Sequence, residues 1–291
     1  MIRSNQVHAA ACLRSDIDGH RFLHTERLNR SGPGLAGSDA QQARVWNGNW
    51  ETRWKLDRAA PGGVVSQQLR AVSEHFSLDL SLESRKQPVI HGLNGVSQKA
   101  AEEGRASHYI SLTRLATSGA IVVEGERFEI DGLTWMDHEF FTQQLDPQQT
   151  GWDWLSLQLK DGSELMLFRL RHKDGSTDGY SAGTYVDQQG RTTHLASGDF
   201  TFAPATVPDQ LWTSKVTHGV YPMGWSVRVP SLRIEASVAT DLRQQELAGS
   251  ALTPPYWEGA IKAIGTHSGE SLVGSGYLEM TGYAGPAPLS E

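Results

Sequence analysis

The chain has 291 residues, and 26 Lys and Arg against 33 Asp and Glu give it a net charge of −7 at neutral pH. Nucleic-acid-binding proteins usually present a basic surface to phosphate, so this balance argues against nucleic acid as a partner. The single cysteine, Cys12, excludes an intrachain disulfide and a zinc site of several thiolates, and it predicts a small buried side chain.

No targeting signal is recognisable at the beginning of the given sequence. Residues 1–13 lack the apolar segment of a secretory signal, so the compartment stays open. No later run approaches the length of about 18 apolar residues that a membrane helix needs, so no integral membrane segment is expected.

Short alternating segments between glycine turns predict an all-β fold. Asp and Asn followed by Gly tolerate positive φ and fill hairpin turns. Such pairs occur at Asp18-Gly19, Asn94-Gly95, Asp131-Gly132, Asp161-Gly162, Asp174-Gly175 and Asp178-Gly179. In Phe76–Leu82 every second residue is apolar, which predicts a strand with one buried face. Further strands are predicted at Gly119–Glu124, Arg127–Asp131, Trp154–Lys160, Glu164–Arg171, Tyr180–Asp187, Trp225–Val229, Leu232–Ala236, Trp257–Ile264 and Leu272–Thr281.

The same pattern predicts two all-β domains. Many short strands with glycine turns are typical of antiparallel sandwiches and barrels. Very little helix is expected, and Asp241–Ala248 is the one segment whose sequence is compatible with a helix, of about two turns. The polar segment Gln143–Gly151 predicts a linker, which gives domains at 1–145 and 146–283 and a frayed tail at 284–291.

Two short motifs match known signatures without their structural context. Gly32–Gly37 matches GxGxxG, but dinucleotide binding also needs a preceding strand and a following helix. Gly179–Gly183 matches GxSxG, whose nucleophile requires a turn from a strand into a helix. We interpret the first motif as a glycine loop and Ser181 as a residue at the start of a strand.

Trp135–Glu139 is the segment richest in chemical groups. If it is extended, alternation places Trp135, Asp137 and Glu139 on one face and His138 on the other. In the next predicted strand, Asp153 shares a face with leucines. Acids in such positions either bind backbone N–H groups at a barrel rim or serve in function, and the pattern leaves both readings open.

Eleven histidines raise the question of a metal site. His138-Glu139 lacks the second histidine, four residues on, that an HExxH zinc site needs. His108, His138, Asp137 and Glu139 would form a site only by converging in space. We therefore predict no metal site, and the chemistry considered below requires no organic cofactor.

Five segments resemble the lipocalin-like AttH and carotenoid 1,2-hydratase family, whose members are often described as secreted hydrolases. They occur in the family's order at 106–109 (ASHY), 132–139 (GLTWMDHE), 151–171 (GWDWLSLQLKDGSELMLFRLR), 256–260 (YWEGA) and 274–283 (GSGYLEMTGY). The resemblance implies two consecutive calycin-type antiparallel β-barrels, the second beginning near Gly151. It also implies a barrel interior that holds an apolar ligand. The family's early Glu-Trp-Trp-Tyr-like strand is not found, which leaves two alternatives open: a misassigned start codon, or a shortened chain with an incomplete first barrel. Family members are often periplasmic or secreted.

The resemblance also implies roles for particular residues. The hydratase branch uses a His-x-Trp pair and a Tyr-x-Asp pair, which fall at His108-x-Ile110 and Trp135-x-Asp137. Asp137 would protonate an alkene, His108 would position or deprotonate water from an apolar interior, and Trp135 would stabilise the carbocation. The residues expected to bind the ligand are Ile110, Tyr109, His138, Glu139, Trp152 and Asp153.

The expected activity is that of a cofactor-independent hydratase or isomerase acting on an apolar isoprenoid or polyene. Two alternatives share the same pocket: a carrier of lipids or other hydrophobic ligands, and a pericyclase that acts by preorganising a flexible polyene. The ligand is expected to be neutral and elongated, because no cluster of Lys or Arg accompanies the candidate residues. Peripheral membrane contact is one route for such a substrate, and the oligomeric state stays open.

Overall fold

The computed structural model describes residues 7–57, 64–141, 145–249 and 253–285, and most of these residues lie in antiparallel strands. The predicted all-β class is confirmed. Two single-turn 3₁₀-helices lie at Pro208–Gln210 and Pro230–Leu232. No helix in the described ranges is long and apolar enough to span a membrane.

The strands follow one another along the whole described chain. The first eleven are β1 (Val7–Asp16), β2 (Arg21–Arg30), β3 (Ala36–Asp39), β4 (Arg44–Asn47), β5 (Trp50–Asp57), β6 (Val64–Val72), β7 (Phe76–Ser84), β8 (Val89–Ile90), β9 (Val96–Gln98), β10 (Ala106–Val123) and β11 (Glu126–Phe140). The remainder are β12 (Gln149–Leu159), β13 (Glu164–His172), β14 (Ala182–Val186), β15 (Thr192–Ala196), β16 (Thr201–Pro204), β17 (Leu211–Thr213), β18 (Val220–Pro222), β19 (Gly224–Val229), β20 (Ile234–Ala239), β21 (Glu246–Leu247), β22 (Tyr256–His267) and β23 (Glu270–Thr281).

The chain divides into two compact units, each discontinuous in sequence. The first unit comprises Met1–Arg14, Leu23–Pro88 and Leu112–Met136, and the second comprises Ser15–Phe22, Val89–Ser111 and Asp137–Glu291. The domain boundary between residues 145 and 146 stays a prediction. Residues 142–144, at the predicted linker, and 286–291, in the predicted tail, lie outside the described residues.

The first unit is built on a sheet with the order β11-β10-β7-β6-β5-β4-β3. β7 pairs antiparallel with both β6 and β10, which places Leu82 opposite Gln67 and Thr117. The predicted alternation of β7 buries Leu82 in a small core with Leu112 and Leu115. Cys12, on β1, is half-buried, and burial raises the pKa of its thiol.

The second unit is built on a larger sheet with the order β15-β14-β13-β12-β23-β22-β20-β19-β16. One face of this sheet carries the main hydrophobic core, which includes Leu155, Leu157, Leu167 and Trp257. Because successive side chains alternate, the even-numbered residues of β12 project from the opposite face. This second face carries the candidate site.

Two local predictions are wrong. The segment whose sequence is compatible with a helix contains β21 instead, because Glu246 and Leu247 pair with Trp257 and Tyr256, and this tertiary pairing overrides helix propensity. Asp131-Gly132 lies inside β11 rather than in a turn. Asn94-Gly95 does form a turn, with φ of 54° and 85°, values that a two-residue hairpin of type I′ requires.

The GxGxxG and GxSxG matches both lie at the start of a strand, and within the described ranges no helix directly follows either of them. Gly32–Gly37 leads into β3 without a helix. Ser181 directly precedes β14, is 1% exposed, and its Oγ accepts the backbone N–H of Leu170.

Candidate functional site

A cavity of about 300 Å³ lies in the second unit, on the sheet face opposite the core. Its apolar and aromatic lining consists of Phe141, Leu145, Trp152, Trp154, Phe168, Leu170 and Tyr277. Large side chains such as Leu155 and Trp257 fill the opposite, core face of this sheet, so the cavity lies outside that core. The expectation of a ligand inside a barrel stays a prediction.

Asp137 is held in this cavity by two hydroxyl groups of β10. The Tyr109 hydroxyl donates to Asp137 Oδ2 at 2.8 Å, and Ser111 Oγ donates to Oδ1. The Trp154 indole N–H donates in turn to the Tyr109 hydroxyl at 2.9 Å. Burial and the neighbouring Asp137 raise the pKa of Tyr109 well above its usual value, so the phenol stays a donor. A carboxylate that accepts a hydrogen bond at each oxygen has the arrangement of an ionised base.

His91 fixes the orientation of Ser111. His91 Nε2 lies 2.8 Å from Ser111 Oγ, and Nδ1 lies 2.9 Å from Thr184 Oγ1. Burial, with Lys99 and His194 nearby, lowers the pKa of His91 to about 3, so the ring is neutral. Because Ser111 donates to Asp137, Nε2 must donate to Ser111 and Nδ1 must accept from Thr184.

Glu139 lies beside Asp137 on β11 and is balanced by a buried lysine. Ser107 Oγ donates to Glu139 Oε1 at 2.5 Å, and Lys99 Nζ lies 3.3 Å from the same oxygen. The ammonium group also lies 3.7 Å from the centroid of the Phe168 ring, a cation–π contact. Lys99 is 5% exposed, and burial lowers its pKa while Glu139 opposes that shift.

Glu258 and Glu279 complete the polar lining and were missed by the sequence reasoning. They occupy opposite positions on β22 and β23. The Trp152 indole N–H donates to Glu279 Oε1 at 2.9 Å. Burial raises the pKa of Glu258 to about 7, and burial together with Glu258 raises that of Glu279 to about 8. Both residues lie in segments that carry the family resemblance. There they alternate with apolar neighbours, a pattern typical of any half-buried strand, so the sequence gives no signal of a functional role.

The cavity brings together four of the residues predicted from sequence, Asp137, Glu139, Tyr109 and Trp152. Trp135 is half-buried and belongs to the first unit. Within the described ranges, no group of three or more His, Cys, Asp or Glu side chains is arranged to hold a metal ion.

Three further predicted residues, His108, His138 and Ile110, are exposed and do not line the cavity. His108 is exposed and stacks on Phe140 with ring centroids 5.0 Å apart, and His138 meets the same ring edge-on at 5.5 Å. Ile110 is 37% exposed. The expectation that His108 projects into an apolar interior is wrong, because Tyr109 and its alternate neighbours on β10 take the buried face.

Asp153 also lies outside the cavity, on the core face of β12. It is completely buried, pairs with Arg169 at 3.0 Å and Arg171 at 2.5 Å, and accepts the Tyr283 hydroxyl at 3.0 Å. Asp153 therefore does not line the cavity, its contacts are those of a buried structural ion pair, and the ligand-binding role expected for it stays a prediction.

These observations define an all-β protein with a carboxylate-rich, aromatic-walled cavity. The chain belongs to the AttH-like family, whose model matches residues 1–283. The resemblance inferred from the five sequence segments is thereby confirmed.

Similar proteins extend this comparison. The dehydratase asqC of Emericella nidulans is 29% identical over 222 residues, which cover 73% of this chain but 60% of that protein. A crystal structure described as AttH from Nitrosomonas europaea is 29% identical with a TM-score of 0.80, over 97% of this chain and 82% of the other. Kievitone hydratase from Nectria haematococca shares the fold, with a TM-score of 0.73 at 17% identity, over 96% of this chain and 80% of that one.

Proposed function

We propose that this chain is a hydratase or dehydratase that adds water to, or removes it from, an apolar small molecule bound in the cavity. The observation that carries the proposal is Asp137, a carboxylate oriented at both oxygens and placed among aromatic walls. The word dehydratase in the name of the similar asqC protein agrees with this reaction class.

Asp137 is the group that exchanges a proton with carbon. In dehydration it removes a proton from carbon, the C–H electron pair becomes the double bond, and the neighbouring hydroxyl leaves as water after gaining a proton. In hydration the protonated Asp137 gives its proton to one alkene carbon, and water adds at the other carbon and loses a proton to another carboxylate of the cavity. Trp152 and Trp154 line the cavity, and their indole rings would stabilise developing positive charge.

The cavity also limits the size of the substrate. Ligand pockets commonly span about 300–1,000 Å³, and this one lies at the lower end. A compact apolar alcohol or alkene, such as a short isoprenoid or an aromatic compound with an alkenyl chain, fits that volume better than a whole carotenoid.

The test measures turnover of such compounds in oxygen-18 water by mass spectrometry. The unmodified protein is expected to incorporate labelled oxygen into an alkene or to release water from an alcohol. Asp137→Asn should lower kcat about 10²–10⁴-fold, the usual contribution of a positioned acid–base group. Asp131→Asn, which alters an exposed carboxylate on the same strand, is the matched control.

Two results would contradict the proposal. Tight binding of these compounds without turnover would support a ligand carrier. Cyclisation without any exchange of oxygen would support a pericyclase.

A further inference from the structure

Glu258 and Glu279 form a second carboxyl pair in the cavity, on different elements from Asp137. They face each other across the antiparallel ladder of β22 and β23. Directly opposed residues in such a ladder have Cβ atoms about 4.5–5.5 Å apart, so like charges at these positions repel.

Among the described residues, the charged groups that face this pair do not include an unpaired Lys or Arg. Lys99 is the one Lys or Arg among the described residues that line the cavity, and it pairs with Glu139. Arg169 and Arg171 of the neighbouring β13 pair with Asp153 on the core face of the sheet.

The polar neighbours of the pair, among the described residues, are hydrogen-bond donors or further acids. Trp152 donates to Glu279, and the Tyr256 hydroxyl lies 3.5 Å from Glu258. Glu139 and Asp137 add negative charge at Glu279. Ionising both of two partly buried carboxyl groups without a counter-charge is unfavourable in free energy. Such pairs therefore retain a proton.

We propose that Glu258 and Glu279 share a proton and act as the general acid of the cavity, while Asp137 acts as the base. This inference rests on the hydratase or dehydratase function proposed above. It defines the substrate as an alcohol with a C–H bond on the carbon next to the hydroxyl carbon, or the corresponding alkene.

The dehydration step then balances within the cavity. The glutamate pair gives its proton to the substrate hydroxyl, and the C–O bond breaks with its electron pair on oxygen, which releases water. Asp137 takes the proton of the adjacent carbon, and that C–H pair forms the double bond. The pair ends ionised and Asp137 protonated, and exchange with solvent restores both.

The surroundings of the glutamate pair and of Asp137 support these roles of acid and base. Burial holds the pKa of Glu258 at about 7 and that of Glu279 at about 8, so the pair keeps a proton at neutral pH. Asp137 instead accepts two hydroxyl hydrogen bonds, which favour its ionised form. A protonated carboxyl pair beside a carboxylate that accepts hydrogen bonds is the arrangement of an acid and a base in one site.

The first experiment titrates the full chain without substrate, by infrared absorption of protonated carboxyl groups. We expect a protonated-carboxyl band at pH 6 that decreases in two steps centred near pH 7 and 8. Two steps are expected because an interacting pair titrates with two macroscopic pKa values. Glu279→Gln should remove part of this band while keeping an acceptor for Trp152. Glu258→Gln should lower the pKa of Glu279. Glu270→Gln, an exposed site on the same strand, should leave the band unchanged. Absence of the band in the unmodified protein would overturn the proposal, whether or not any variant folds.

The second experiment measures the pH profile of turnover. Glu279→Gln should lower kcat about 10²–10⁴-fold and remove the alkaline limb of the profile for dehydration. Full activity in Glu279→Gln would overturn the acid role and leave the proposed function standing. A titrating band without turnover of any alcohol or alkene would instead refute the proposed function and leave the shared proton standing.

Discussion

Replacing Asp153 with Ala tests whether this residue stabilises the fold or binds ligand. Its side chain is 0% exposed and accepts hydrogen bonds from Arg169, Arg171 and Tyr283. The substitution leaves two guanidinium groups, on residues only 9% and 7% exposed, without their counter-charge.

The expected loss of stability is about 3–5 kcal/mol, the usual result of removing one partner from a buried ion pair. The lower half of that range is favoured, because each arginine keeps other partners. Arg169 still donates to Thr177 Oγ1 and the Gly175 carbonyl, both at 2.9 Å, and Arg171 to the Thr281 carbonyl.

The assay is urea unfolding followed by tryptophan fluorescence, with the free energy taken from the midpoint and slope of the transition. The control is Glu235→Gln, which removes one partner of an exposed pair with Arg228 and should cost at most about 1 kcal/mol. A loss below about 1 kcal/mol for Asp153→Ala, together with abolished ligand binding, would refute the structural role and restore the one predicted from sequence.

Two further predictions concern the core and the buried histidine. Leu155 is 0% exposed, and Leu155→Ala should lower the free energy of unfolding by about 2–5 kcal/mol in the same assay. The control Leu93→Ala, at a residue 80% exposed, should change it by less than about 0.5 kcal/mol. Equal effects would contradict the assigned core. Folding lowers the pKa of His91 from 6.5 to about 3. Between these two pH values the unfolded chain binds a proton at His91 and the folded chain does not. Stability should therefore fall as the pH drops from 6.5 toward 3. His91→Gln should flatten this dependence in urea titrations at several pH values, and an unchanged slope would contradict a buried neutral ring.

Alternation within single strands was readable from the sequence. It placed Asp137 and Glu139 on one face of β11, and the structure brings both into the cavity. It also gave β7 its buried face and assigned the chain to the all-β class, because hydrophobic periodicity and glycine turns are local properties of the chain. The family segments were equally visible, since they are properties of sequence alone.

Tertiary structure decided which face of a strand is buried where neighbours change along its length. On β10, Leu112 is buried and shares its parity with His108, which suggested a buried histidine. The two parts of β10 belong to different units, however, and each part buries side chains against its own neighbours. The buried face of one part of β10 therefore did not predict the buried face of the other part.

The pairing of distant segments was also beyond the sequence. Only the register of β22 and β23 sets Glu258 opposite Glu279, and only the packing of Trp152 supplies a donor to that pair. Likewise, Lys99 reaches Glu139 from a segment forty residues earlier in the chain. The ionisation of a carboxyl group depends on burial and on the charges around it, and both are set by three-dimensional packing rather than by residue identity.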